Sequence, residues 1–428
     1  MMSSTRVRAL FCDLQNLPRG KYVPQHVADG GRIGFARAVF GVSLDRDLLV
    51  VPGAGVMQGI PDVELVLDEE RRQAWQENTE IALGDLHADG EAFGLCARSQ
   101  LKRTITEWQA HGYTPMVGLE MEAYVFQQDA DQVWRPYDTP GAFVYGTGPA
   151  NDPAGLMDAI WERAHKIGLP VESMNGEYDN GQFELTMCFD EALKACDDAF
   201  LFRTMAKEEA LKRGLMLSFM PKPIPDRGGS GLHVNFSFAQ TSGKQKGQNA
   251  IAPDGNLSEM AQGCVAGLIR HHEGLAALLG PTVNSYARLE PASMAGYWAN
   301  WAEDHRLVTL RTSTGSPKSA RIEHRMADCS ANPYQAVTAV LQAAKLGYEV
   351  KMPIPAAEDL DGLENVRATR HVPASLEKAL DALDADKVLR EAVGALYCEA
   401  LMVLKRDEAQ RLADKSVDEI RDFYLPFI

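Results

Sequence analysis

The stretch 219–238, F-M-P-K-P-I-P-D-R-G-G-S-G-L-H-V-N-F-S-F, limits the folds open to this chain more than any other segment. Its first half sets Pro221, Pro223 and Pro225 before Gly228, Gly229 and Gly231. Stiff backbone is followed by permissive backbone that can come close to a ligand. The second half alternates strictly, with Leu232, Val234, Phe236 and Phe238 on one side and His233, Asn235 and Ser237 on the other. This predicts a strand with an apolar back and a polar front. Such a strand forms the wall of a site only if other strands present matching faces.

Three others do. Residues 116–126 set Glu120 and Glu122 against Leu119, Met121, Ala123 and Val125. In E-Y-D-N-G-Q-F-E-L-T, residues 177–186, Glu177 precedes a strand whose Gln182, Glu184 and Thr186 oppose Phe183 and Leu185. In 321–326, Arg321, Glu323 and Arg325 oppose Ile322, His324 and Met326. Two like charges side by side on one strand repel, and a cation between them is the natural remedy. Five carboxylates with one imidazole suit Mg²⁺ or Mn²⁺, whereas zinc sites favour Cys and His. Arg288, Arg306, Arg311, Arg321 and Arg325 supply bidentate partners for phosphate and carboxylate oxygens. Metals beside anion-holding arginines are what phosphoryl transfer needs. There is no G-x-x-x-x-G-K-[ST] and no kinase-type H-R-D, so a P-loop or protein-kinase reading is excluded. The residues alone indicate a metal-dependent, nucleotide-using enzyme with an anionic substrate.

The rest of the chain frames this sheet. Residues up to about 67 read as short strands and turns: a strand at 7–14, a turn at 18–21, then strands at 34–41 and 47–51. Residues 68–89 read as charged and partly helical. Ser99 is expected to cap a helix closed by Gly112, and Asp152-Pro153 to open one running to Gly168. Further helices are expected at 191–212, at 258–279 (closed by Gly280), from Asn332-Pro333, and from about 375 to the end, with a capping box at Ser416–Glu419. Residues 243–256 read as a polar, mobile loop. His271 and His272 are adjacent on a helix, point about 100° apart and are structural. A formal net charge of −16 over 428 residues argues against nucleic acid and anionic membranes as partners. Seven cysteines without a C-x-x-C pair fit a reducing, cytoplasmic compartment.

Taken together, G-L-E-M-E (118–122), E-Y-D-N-G-Q-F-E (177–184), F-M-P-K-P…G-S-G-L-H (219–233), N-S-Y-A-R-L (284–289), R-I-E-H-R (321–325) and N-P-Y (332–334) resemble glutamine synthetases in order and spacing. The resemblance implies an α+β chain. Its parts would be a small N-terminal β-grasp domain with linker (1–98) and a catalytic domain (99–428) whose curved antiparallel sheet forms a half-barrel flanked by helices. It also implies rings of subunits, commonly dodecamers of two hexamers, with active sites between neighbours. The implied chemistry is ATP-dependent: glutamate's γ-carboxylate is phosphorylated and an amine attacks the acyl phosphate, with two or three divalent ions per site. Glu122, Glu177 and Glu184 would hold one ion, and Glu120, His233 and Glu323 the other. Arg288 and Arg325 would bind glutamate's carboxylates, with Gly229 near its amino group. Arg306, Arg311 and Arg321 would contact phosphates, and Glu177, Asn235, Ser237 and Lys318 would belong to the nucleotide site. Arg306, Arg325 and Glu323 would be the catalytic set.

Two departures bear on the amine. Glutamine synthetases carry a flap glutamate six residues after the arginine matching Arg288, and here that position is Met294. The N-terminal loop that supplies an aspartate in the family reads P-G-A-G-V-M-Q-G-I-P-D, with no acid before Asp62. Glu290, four residues from Met294, is a poor substitute. Met57, Met294, Tyr297 and Trp298 would make the site roomier and more apolar, which suits an amine that carries carbon. The expectation is a γ-glutamyl-amide synthetase for an organic monoamine. A distal ammonium, if present, would fall to Glu290, Glu303 or Asp304. The alternatives are an ordinary glutamine synthetase using ammonium and a non-catalytic ring. Residues 365–373, matching the family's adenylylation stretch, contain no tyrosine, so that control is not expected.

Overall fold

A computed structural model describes residues 6–428. The first sheet has six strands: β1 (Arg6–Cys12), β2 (Pro18–Pro24), β3 (Arg32–Ala36), β4 (Asp62–Gln76), β5 (Thr79–Ala88) and β6 (Glu91–Ala92), with a one-turn helix α1 (Gln25–Ala28) after β2. The strand order is β2-β1-β5-β4-β3, with β1 and β5 parallel and β6 paired to the end of β5. Four expectations are corrected here. Residues 68–89 contain no helix; they are a long hairpin turned at Asn78, which has φ 56°. The charges that suggested a helix are instead spent in ion pairs, Arg72 with Glu80 and Asp29, and Arg71 with Asp197 and Asp198. Pro18–Lys21 lie in β2, because the reversal is made earlier, where the Asp13 carboxylate accepts from the Gln15 and Leu17 amides. Residues 47–51 form only an isolated bridge, Val42 to Leu48, and β3 stops at Ala36 before a 3₁₀ turn (Arg37–Gly41).

Helix α2 (Ala97–Ala110) starts before Ser99, with Cys96 at its cap. It leads into β7 (Tyr113–Gln128), the axis of a ten-stranded second sheet with β8 (Trp134–Pro136), β9 (Val171–Gly176), β10 (Gln182–Met187), β11 (Asp190–Glu191), β12 (Leu215–Ser218), β13 (Leu232–Gln240), β14 (Trp301–Glu303), β15 (Leu310–Ser313) and β16 (Arg321–His324). Its main path runs β14-β15-β16-β13-β7-β10-β9, and β8, β11 and β12 also pair with β7. Helix α3 (Leu156–Lys166) begins four residues after Asp152, whose carboxylate accepts from the Met157 amide across a turn with Gly155 left-handed. Helix α4 (Ala192–Lys212) is as expected, but 258–279 breaks at His271 into α5 (Glu259–Arg270) and α6 (His272–Leu279). The break lets His271 meet Asp386 at 2.6 Å and His272 donate to the Tyr297 carbonyl at 3.0 Å, so both histidines are structural. A short α7 (Ser285–Arg288) precedes β14, and β15 begins at Leu310.

Asn332 caps α8 (Pro333–Glu349) by accepting from the Tyr334 and Gln335 amides. The C-terminal third holds α9 (Leu376–Ala385), α10 (Lys387–Val393), α11 (Ala395–Leu412) and α12 (Val417–Tyr424), the last opened by the Ser416–Glu419 capping box. Helices α2 and α4 pack against β7 and α8 against β13. They cover the side where Val117, Leu119, Met121, Leu185, Val234 and Ile322 are buried. The result is an α+β fold with a curled half-barrel sheet flanked by helices, polar face free. No helix among the described residues is long and apolar enough to cross a membrane.

Candidate active site

Strand register assembles the polar faces. Antiparallel pairing sets Glu184 of β10 opposite Glu122 of β7, His233 of β13 opposite Glu120, and Asn235 opposite Glu323 of β16. Glu177 sits just before β10, its amide bonded to the Gln182 carbonyl at 2.9 Å. Two groups result: Glu120 with His233 and Glu323, and Glu122 with Glu177 and Glu184. Within each, the donor atoms all lie within 4.8 Å of one another.

The two groups differ electrostatically. In the first, burial would raise the Glu120 carboxyl. The hydrogen bonds from His233 (3.2 Å) and Asn235 (2.9 Å) and the charge of Arg325 outweigh it, holding Glu120 at about 2. Burial likewise opposes ionisation of Glu323, but His233, Arg325 and Arg311 (3.1 Å) keep it below the usual range. In the second group the opposing help, from the charge of His233 and from the Tyr178 amide to Glu177, is too weak to prevail. Burial first, then the charges of Glu120, Glu177 and Glu122, push Glu184 up to about 7. Glu177 is raised by burial and by Glu122. Like charges directly opposed across strands destabilise a sheet unless something neutralises them. Crowded oxygen donors completed by one imidazole are what a hard divalent cation takes, so the residues fit Mg²⁺ or Mn²⁺.

The glycine loop lies over these groups. A Cβ on Gly229 would stand 2.5 Å from Arg288 Cγ, and one on Gly231 would stand 2.6 Å from an Arg288 guanidinium nitrogen. Only glycine lets the buried arginine lie flat against this loop. Arg288 already donates to the Met326 carbonyl at 2.7 Å and the Arg325 carbonyl at 3.1 Å. Three residues that fasten the loop had no role in the sequence reading. Gln182 donates to the Gly229 carbonyl (3.0 Å), Tyr124 to the Gly228 carbonyl (3.0 Å), and Asp179 accepts from the Gly228 amide. Gln182 stood on the polar face by strand period, and that was its only signal. Asp179 and Tyr124 gave none, because alternation does not say which loop a strand will meet.

Asn235, Ser237, Lys318 and Arg321 line one cavity of about 430 Å³ with Glu120, and Arg321 donates to Asn235 at 2.9 Å. Glu172, Met187 and Phe189 also line it, and sequence reasoning missed all three. Arg311 reaches Glu323, whereas Arg306 is exposed on the turn before β15. Met294 is exposed on the loop that follows α7. The expected apolar amine pocket is only partly assembled. Tyr297 stacks on His371 with ring centroids 4.9 Å apart, and the Trp298 indole donates to the Leu363 carbonyl at 2.6 Å. Met57 is exposed on a 3₁₀ turn beside the first sheet and lines neither cavity near the carboxylates.

Comparison with known proteins agrees with this geometry. Residues 94–424 match the family model described as glutamine synthetase, catalytic domain. A glutamine synthetase of Pyrococcus woesei is 32% identical over 402 residues, covering 91% of this chain and 87% of that protein. A γ-glutamylethanolamide synthetase of Streptomyces coelicolor is 31% identical, covering 82% of this chain and 77% of that protein. The ligand-free structure of GmaS superposes with a TM-score of 0.82 at 28% identity, covering 98% of this chain and 96% of that one. The chain belongs to the glutamine synthetase family, whose members are ATP-dependent ligases.

Proposed function

We propose that this chain joins the γ-carboxylate of glutamate to a small organic amine through a γ-glutamyl phosphate, releasing ADP and phosphate. The observation that carries the choice of amine is Met294, exposed on the loop after Arg288, at the position where the family's ammonium users carry a glutamate. The likeness to a γ-glutamylethanolamide synthetase supports the reading, while the likeness to glutamine synthetases supports ammonium as the alternative.

Glu122, Glu177 and Glu184 would hold one Mg²⁺ or Mn²⁺ and Glu120, His233 and Glu323 another. Bound there, the ions would neutralise and align the transferring phosphate. Arg288, Arg325 and the Gly229 backbone orient glutamate, and Arg325 and Glu323, paired to each other, set the edge of the reacting centre. Arg306, Arg311, Arg321 and Lys318 hold phosphate oxygens, and Asn235 and Ser237 line the nucleotide cavity. A division near residue 98, a ring of subunits (a dodecamer of two hexamers) and a cytoplasmic location belong to the same proposal. The last is supported by seven cysteines that are all unpaired.

Mass spectrometry of the product from Mg²⁺, ATP, glutamate and ethanolamine or ethylamine tests the reading. The γ-glutamyl amide is the expected product. Glutamine as the sole product, made only from ammonium, would overturn it.

A further inference from the structure

The loop at 290–296 has a shape its sequence did not suggest. Ala292 and Met294, neither of them glycine, adopt φ of 59° and 58°, and Gly296 follows at 77°. Left-handed non-glycine residues cost about 1 kcal/mol or more each and persist where the surroundings require them. Here they curl the loop, and Ser293 closes the curl by donating to the Glu290 carbonyl at 2.6 Å. Glu290 and Met294, four residues apart, therefore line one cavity together with Trp298, Leu307, Thr309 and Leu363. The sequence reading discounted Glu290 for its displacement, and the curl removes that objection.

The cavity's lining packs against the backbone of residues 325–326, the segment that follows Glu323 and carries Arg325. Thr309 accepts from the Arg325 amide at 3.0 Å, and a Cβ on Gly296 would stand 2.9 Å from the Met326 amide nitrogen. Of the three acids named for a distal ammonium, two are engaged. Glu303 accepts from Thr314, and Asp304 accepts from Ser313 at 2.9 Å and faces Arg311 at 3.4 Å. Among the described residues the Glu290 carboxylate has no hydrogen bond or ion pair. The cavity encloses about 10 Å³, roughly the room of one water or one methyl group.

We infer that Glu290 receives the ammonium end of the amine substrate and that Met294, Leu307 and Leu363 pack its short carbon substituent. This rests on the amide-synthetase reading and narrows it to primary amines of one or two carbons. The amine arrives as R–NH₃⁺ and passes one proton to the Glu290 carboxylate. The freed lone pair forms the C–N bond as the bond from the acyl carbon to the phosphate oxygen breaks. The nitrogen's second proton leaves with the phosphate.

Steady-state kinetics of the full chain with Mg²⁺, ATP and glutamate test this. Glu290→Gln should raise KM for ethylamine roughly tenfold or more near neutral pH. KM for glutamate and ATP should stay within about twofold, since neither touches Glu290. The deficit should shrink as pH rises and free amine replaces ammonium, and Glu290→Asp should recover part of it. Leu363→Ala should shift preference toward butylamine by roughly fivefold, the scale of one or two methylenes in an apolar pocket. An ethylamine KM unchanged by Glu290→Gln across pH, in a wild type that uses ethylamine, would overturn the inference alone. A wild type that turns over only ammonium would overturn the inference and the amide-synthetase reading together.

Discussion

Glu184 faces Glu122 across a strand pair and Glu177 across a loop, and burial with three neighbouring charges pushes it up to about 7. Removing its charge relieves repulsion and removes a donor at the same time. Glu184→Gln should therefore melt at or slightly above the wild-type temperature without Mg²⁺, by the few tenths to 1 kcal/mol typical of an opposed like pair. It should also lose most of the Mg²⁺-induced rise in melting temperature, which for a bound ion follows mass action. Its turnover should fall at least about a hundredfold, the loss expected when a charge-neutralising group is removed from a transition state. Thermal melts with and without Mg²⁺, beside an ADP-release assay, separate the three effects. At this scale the sequence was informative: period-two alternation assigned Glu120, Glu122, Glu184, His233 and Glu323 to polar faces before any strand was paired. It could not show that Arg288 would spend its donors on the Arg325 and Met326 carbonyls, because those contacts depend on where two loops meet.

Among elements, the long hairpin β4–β5 was the least legible. Runs such as D-E-E-R-R carry no apolar alternation, and their strand conformation is held by partners distant in sequence. Arg98, buried on α2, bridges Asp68 of β4, Asp85 of β5 and Asp197 of α4 at 2.7, 2.7 and 2.9 Å. Arg98→Met leaves three carboxylates without their shared cation and should cost about 3–5 kcal/mol, read as a lower urea midpoint. The α5–α6 break makes a second prediction. Burial holds His272 at about 4, below its ordinary 6.5, while its ring donates to the Tyr297 carbonyl. The unfolded chain takes up a proton near 6.5 and the folded chain does not until about 4. Stability from this group is thus complete above 6.5 and falls as pH drops toward 4, by roughly 3 kcal/mol in all. Urea midpoints across that range should slope less in His272→Gln than in the wild type. The helix caps at Ser258, Asn332 and Ser416 were legible because each signal is local to four residues. The break at His271 was not, since it serves contacts to Asp386 and Tyr297 far along the chain.

At the scale of the molecule, a half-barrel sheet turns its polar face to the glycine loop and the arginines, while helices cover its apolar back. That arrangement follows from four strands with one polar face each, which is why the chemistry could be read before the topology. On the proposed reading the choice of amine falls to the 290–296 loop, and loop curvature leaves little trace in residue order. The most direct test of the account is the ratio of kcat/KM for ethylamine or ethanolamine to that for ammonium, measured as ADP release from the purified full chain with Mg²⁺, ATP and glutamate. A ratio of roughly ten or more, the discrimination one well-placed methyl or methylene contact can supply, is the predicted result. A ratio below one, with efficient turnover of ammonium, would contradict the account and make the chain a glutamine synthetase in activity as well as in family.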